Sequence, residues 1–412
     1  MIKRIVIFAT VILLAAEGVA QNDSILVSGK DTVAYRYTPI NNFSVKPQKK
    51  HKLLQNFARY IVDSNTDQSF EKLVDMTFVP ALYYTPSISV GLAVMATGLY
   101  RLDKQDRAIP ASDFSIYATA SLTGFYRVGV KGCNIFRNNN QRIIYNAEFY
   151  SQPVLFWGVG YDAAMANFSM RYLASRTIVD VRFSQKIVKN LYIGVGVDYN
   201  YHFGRFGGKR YVAESDFLAR LGGERAKYNA TGISLFVEFD TRDVISNPQR
   251  GVYVGVQAKV RPKGMNNIGR TLWSGNFTAN YYQRIWKGAL LAFDLRGEFN
   301  SEGTPWVYNA TFGNTIRGYY AGRFNDLCAI TLQAELRQRI YKRLGAVAWG
   351  GAGNVFRNFR TFDWQHTLPT YGVGLRYEIK KGVNIRFDYG FGGRDHRGKL
   401  IHGAVFSINE AF

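Results

Sequence analysis

The chain has 412 residues, including 27 Tyr, 29 Phe, 40 Gly and only 10 Pro, and carries a formal net charge of +22. Its two cysteines, Cys133 and Cys328, exclude a disulfide-built fold or a cysteine zinc cluster and leave room for at most one bridge. Aromatics and glycine with so little proline favour strands and tight turns, and the excess of basic residues points either to an anionic partner or to a solvated set of charged loops.

Residues 1–20, MIKRIVIFATVILLAAEGVA, read as a secretory signal peptide. Lys3 and Arg4 form its basic start, Ile5 to Ala16 its apolar stretch, and Gly18, Val19 and Ala20 the small-residue cleavage site. Export sets nucleic acid aside as the anionic partner. It favours outer-membrane lipid and lipopolysaccharide instead.

Residues 21–76 are polar, without sustained alternation, and are expected to form a short periplasmic segment. Within them, HKLLQNFARYIVD (51–63) places Leu53, Leu54, Phe57, Tyr60 and Ile61 at helical spacing. This is the pattern of a short amphipathic helix that lies on a membrane, plugs a barrel or packs on its rim.

From residue 77 onward the pattern changes to period two. In LYIGVGVDYNYHF (191–203), Leu191, Ile193, Val195, Val197, Tyr199, Tyr201 and Phe203 share one face. Gly194, Gly196, Asp198, Asn200 and His202 share the other. Alternation of this length is incompatible with a helix. The pattern recurs at 289–299, where Leu291, Phe293 and Leu295 oppose Asp294, Arg296 and Glu298. It recurs again at 383–391, where Phe387 and Tyr389 oppose Arg386 and Asp388.

About sixteen such runs fit between residues 77 and 412, the last of them at 401–412. Short turns include Lys287-Gly288 and Lys381-Gly382. Longer connections fall near 204–228, 301–326 and 357–368, on the opposite, extracellular side. Periodicity alone does not say whether the apolar face points inward, as in a soluble sandwich or lipocalin-like barrel, or outward. Strand length and an even strand number favour an all-β transmembrane antiparallel barrel over 77–412.

Several segments carry more than the alternation. EFDTRDVISNPQRGVYV (238–254) sets Asp240, Arg242 and Asp243 before a turn, with Pro248 inside it and the next strand restarting at Gly251. NTIRGYY (314–320) places Arg317, Gly318 and Tyr319 in a long connection. ITLQAELRQR (330–339) puts Gln333, Glu335 and Arg337 on one face. In the closing segment, GKLIHGAVFSINEAF, Phe406, Ile408 and Phe412 share a face and the aromatic stands last. No G-x-S-x-G occurs, and the five histidines are scattered without metal spacing. The chain is therefore expected to have no catalytic residues, metal or cofactor, and not to be an enzyme.

In order, these segments resemble the BamA/TamA-type outer-membrane assembly-factor superfamily, the bacterial surface antigens, over the barrel alone. Residues 21–76 are too short for a periplasmic POTRA module. The 238–254 segment is similar to the family's D-x-R-D…P-x-x-G turn, and NTIRGYY to its R-G-[FY] loop. The resemblance implies that the long extracellular loop folds into the lumen, where Arg317 meets acidic wall residues. An arginine in a low-dielectric lumen requires a counter-charge, and its planar fork suits a carboxylate.

Glu335 matches one acidic wall position. Gly351, in WGGAGNVF, stands where the family usually has another, so Asp388 (with Arg386 beside it) and Asp294 are the candidates to replace it. The family's closing aromatic strand is its own insertion signal. The implied function is insertion or translocation of proteins at the bacterial outer membrane through a lateral seam. Unfolded outer-membrane or secreted proteins would be substrates, with periplasmic or lipoprotein partners. The alternative is a passive channel or a surface or scaffold protein that kept the fold.

Overall fold

The computed structural model describes residues 69–412, except 86–88, 104–110, 167–168, 207–224, 244–246, 313–315, 381–382, 396 and 409–411. The expected signal peptide, the helix at 51–63, the turn Lys381-Gly382 and most of the 204–228 connection lie outside the described residues. Thr66–Phe412 forms one compact unit.

The strands are β1 (Asp75–Thr85), β2 (Ser89–Tyr100), β3 (Ser112–Ser121), β4 (Tyr126–Ile135), β5 (Gln141–Phe156), β6 (Met170–Val188), β7 (Leu191–Phe206), β8 (Arg225–Asp240) and β9 (Gly251–Arg261). They continue as β10 (Leu272–Trp286), β11 (Ala289–Asn300), β12 (Ala310–Thr311), β13 (Asn325–Asp326), β14 (Cys328–Tyr341), β15 (Leu344–Phe356), β16 (Leu368–Lys380), β17 (Val383–Arg394) and β18 (Leu400–Ile408). All but β12 and β13 belong to one antiparallel sheet of 16 strands in sequence order. The tiny β12 and β13 pair with each other inside the connection from β11 to β14. β1 and β18 are the two edges, and the sheet is not closed between them among the described residues.

Connections alternate between the two ends of the sheet. One end carries two-residue hairpins after β6, β10 and β14. Each contains a positive φ, at Asn190 (66°), Gly288 (77°) and Lys342 (44°), as the twist of a tight hairpin demands. The other end carries the long connections, including residues 301–327.

Exposure settles the question that periodicity left open. In β7, Ile193, Val195 and Val197 are 45%, 52% and 54% exposed, whereas Asp198, Asn200 and His202 are at most 6% exposed. Late in the sheet, Val373, Leu375, Phe387 and Tyr389 face out and Arg376 and Asp388 are buried. A soluble sandwich or lipocalin requires the reverse. Apolar residues on the outer wall and charges within are the division that lipid imposes on a barrel. Cys133 and Cys328 are both free thiols, so the permitted bridge does not form.

Candidate functional site

The connection from β11 to β14 turns inward and is fastened at two places. Near its base, Trp306 packs on Phe156 of β5 (ring centroids 4.2 Å apart) and edge-on to Tyr172 of β6 (5.1 Å). Tyr172 in turn shares a 2.8 Å hydrogen bond with His202 of β7. Tyr308 donates to the Asn200 carbonyl at 3.1 Å. This anchor is aromatic, with Arg176 and Arg261 lying 5.6 and 5.8 Å from the Tyr308 ring centre.

Beyond it, Phe312, Ile316, Tyr319 and Phe324 form an apolar cluster with Val355, Leu368 and Ile401 of β15, β16 and β18. Ala164 of a short helix, α1 (Tyr161–Ala166), joins this cluster. The loop thus carries its own small core, which satisfies its apolar residues away from water.

At the tip the chemistry changes. Arg317 is buried, with Nη1 at 2.6 Å from Glu335 Oε2 of β14 and 3.0 Å from Asp388 Oδ2 of β17. Its guanidinium carbon lies 3.8 Å from the ring centre of Trp349 on β15. One nitrogen therefore bridges two carboxylates while the planar face stacks on an indole. The fork-to-fork pairing expected from arginine geometry does not occur.

Both carboxylates are completely buried and serve further arginines. Arg337 Nε lies 2.6 Å from Glu335 Oε1, and Arg376 Nη2 lies 3.7 Å from the same oxygen. Asp388 also accepts from Arg376 Nη1, and Arg386 Nη1 approaches it at 3.5 Å. Four guanidinium groups around two carboxylates make a net-positive lumen wall.

Of the two candidates for the second carboxylate, Asp388 fills the role. Asp294 instead accepts from Asn280 (2.5 Å) and Arg296 (2.8 Å). Asp388 fits because its β16 neighbour is Gly374, where a Cβ would come within 2.0 Å of Asp388 Oδ1. A glycine one strand away makes room for the carboxylate that Gly351 does not supply. Arg376 and Trp349 complete the cluster, and motif reading overlooked both. Their only sequence signal is their place on the inward face of alternating strands.

Gly318 has φ +95°, and a Cβ there would lie 2.8 Å from the Phe391 backbone. The loop backbone thus rests directly on β17. Tyr319 beside it donates to the Pro369 carbonyl (2.5 Å) and accepts from the Gly393 N–H (2.7 Å), so its hydroxyl ties β16 to β17. Burial pushes the Tyr319 phenol up to about 12.

The 238–254 motif lies at the hairpin end. Arg242 grips Asp240 with Nε (2.9 Å) and Nη2 (3.0 Å). Asp243 Oδ1 accepts the N–H groups of Gln249 and Arg250, and Pro248 is buried in the same turn. Gly251 starts β9 with φ +116°, and a Cβ there would lie 2.5 Å from the Thr241 carbonyl oxygen.

β18 is described as far as Ile408, and Phe412 itself is not in a strand. The side chains of Phe406 and Ile408 lie outside the described residues. The ring of Phe412 packs on the inward-facing Tyr282, Leu290 and Ala292, and its carbonyl accepts from Arg337 Nη2 at 2.9 Å. An apolar niche with a buried guanidinium beside it offers both burial and a hydrogen bond, which a lipid-facing position does not.

Among the described residues, no group of three His, Cys, Asp or Glu side chains is arranged to hold a metal ion.

No family model and no curated protein matches the chain. Solved structures do. BamA from Haemophilus ducreyi lacking POTRA domains 1-3 is 11% identical with a TM-score of 0.52, over 81% of this chain and 70% of that one. CdiB from Acinetobacter baumannii is 12% identical with a TM-score of 0.49, over 81% and 59% of the two chains. A bacterial polysaccharide outer membrane secretin is 9% identical with a TM-score of 0.41, over 81% and 96%. The first likeness shows the fold: this is a BamA-like barrel.

Proposed function

We propose that the chain is an exported outer-membrane barrel that assists insertion or translocation of proteins through a seam between β1 and β18. The observation that carries this reading is the open sheet, whose edges are β1 and β18. In lipid, an unpaired edge leaves N–H and C=O groups without partners. A substrate strand added there gains main-chain hydrogen bonds by β-augmentation.

In this reading residues 1–20 direct export and 21–76 lie in the periplasm. Substrate arrives with a periplasmic or lipoprotein partner, and the outer wall meets lipid and lipopolysaccharide. No catalytic step is invoked. Arg317, Gly318, Tyr319 and Glu335 act as a latch that holds the inward loop to β14–β17, so that the strands beside the seam behave as one block. The passive-channel alternative has less support, because the loop packs on both the β5–β7 wall and the β14–β17 wall.

The test is a disulfide across the seam, Leu82→Cys with Ser407→Cys, in a Cys133→Ser, Cys328→Ser background. Growth and outer-membrane protein composition are compared with the link oxidised and reduced. The expected result is loss of assembly on oxidation and recovery on reduction. Normal behaviour of the locked barrel would remove lateral gating and leave a channel or scaffold.

A further inference from the structure

A second built feature lies at the hairpin end, remote in sequence from the loop latch. Residues from the β4–β5, β6–β7 and β8–β9 turns and their flanking strands enclose a cavity of about 190 Å³. Its lining includes three cations, Arg142, Lys186 and Arg242, and two carboxylates, Asp240 and Asp243, a surplus of one positive charge.

The carboxylates are already committed. Asp240 is held bidentately by Arg242, while Arg142 Nη1 reaches it only at 3.5 Å. Asp243 is turned into its own loop, accepting two backbone N–H groups. Of the cations, Lys186 is the least well served. Lys186 Nζ donates to the Asn138 carbonyl at 3.0 Å and has no carboxylate partner among the described residues. Arg142, at the edge of the same hollow, donates from Nε to Asn139 Oδ1 at 2.8 Å and from Nη2 to the Tyr192 hydroxyl at 3.0 Å. Arg142 and Lys186 both lie against the Tyr192 ring, at 4.1 and 5.7 Å from its centre.

A concave polar space with one uncompensated positive charge draws in an anion. Charge balance calls for a monovalent group, which fits a carboxylate better than a phosphate dianion. The volume suits one side chain. We infer that this cavity takes a single carboxylate, supplied by an acidic side chain of a protein partner docking on the hairpin end. The inference rests on the reading above that this end faces the periplasm, and it names the chemistry of a partner there.

The test uses the full chain in detergent. Acylation of Lys186 by an amine-reactive reagent is followed by peptide mass spectrometry. The probes are a short glutamate-containing peptide, its glutamine counterpart and inorganic phosphate. The glutamate peptide should slow Lys186 acylation severalfold without affecting exposed lysines such as Lys263, and the glutamine peptide should not. Lys186→Gln should weaken binding of a fluorescent glutamate peptide about tenfold while the barrel keeps its heat-dependent mobility.

Protection by phosphate alone would overturn the assignment in favour of a free-anion site. Protection by no probe would overturn it in favour of a purely structural cluster. The readout is binding to an unlocked barrel, so a failed seam experiment leaves it interpretable, and the reverse also holds.

Discussion

The base and the tip of the 301–327 loop are held by different means. At the base, Trp306 and Tyr308 dock on the β5–β7 wall through ring contacts and a hydrogen bond to a backbone carbonyl. At the tip, one arginine bridges two buried carboxylates and a glycine lies on bare backbone. An aromatic anchor tolerates partial disruption, because dispersion contacts are lost in small increments. A buried ionic cluster does not, because removal of one member strands charges in low dielectric. The tip should therefore release as a unit and the base by degrees.

Glu335→Ala tests this contrast most severely. It removes the carboxylate that Arg337 grips, leaves Arg317 and Arg376 sharing Asp388, and should cost ~3–5 kcal/mol in urea unfolding of the barrel. Trypsin should then cut at Arg317 and Arg323. A loss no larger than that of a surface pair would equate tip with base and break the comparison.

Trp306→Ala should cost about 2–3 kcal/mol, somewhat below the loss for a fully buried tryptophan. Its effect should be nearly independent of salt, measured by the same unfolding at low and high ionic strength. Gly318→Ala should cost about 1–3 kcal/mol, since it adds a side chain at φ +95° and against the Phe391 backbone. Proteolysis at the tip should rise while the base stays protected.

A further effect is a titration. The Tyr319 phenol is pushed by burial from 10.0 to about 12. The neutral form is therefore favoured in the folded state. That stability is complete below pH 10 and is lost as pH rises through 12. Tip accessibility to trypsin should increase across this window. Tyr319→Phe should abolish the pH step, at a constant cost of ~1 kcal/mol for the hydrogen bonds left unmade.

Much of the molecule was legible in the residues. The runs at 191–203, 289–299 and 383–391 fall inside β7, β11 and β17, because period two is a local property of the backbone. Asp240 and Arg242 were legible as neighbours for the same reason, since residues two apart on a strand end share a face. Arg317 and Glu335 were legible through motif order. The partnership with Asp388 depended on a small β16 neighbour, Gly374, whose significance appears only when the two strands are in register.

Arg376 and Trp349 were missed because nothing local separates them from other inward residues. The inward packing of Phe412 rests on the niche beside Arg337, which alternation does not register.

By itself, then, the sequence determined the strands, the tight turns and the identity of the charges that line one face, because these follow from chain geometry and side-chain chemistry within a few residues. Only the tertiary structure decided that the apolar face points outward, that Arg317 bridges two carboxylates through one nitrogen, that Phe412 turns inward, and that a surplus cation sits over a hollow at the hairpin end. Those outcomes depend on which strands become neighbours, in which register, and how they curve. Such pairings join residues 18 to 98 positions apart, across distances that no local pattern encodes.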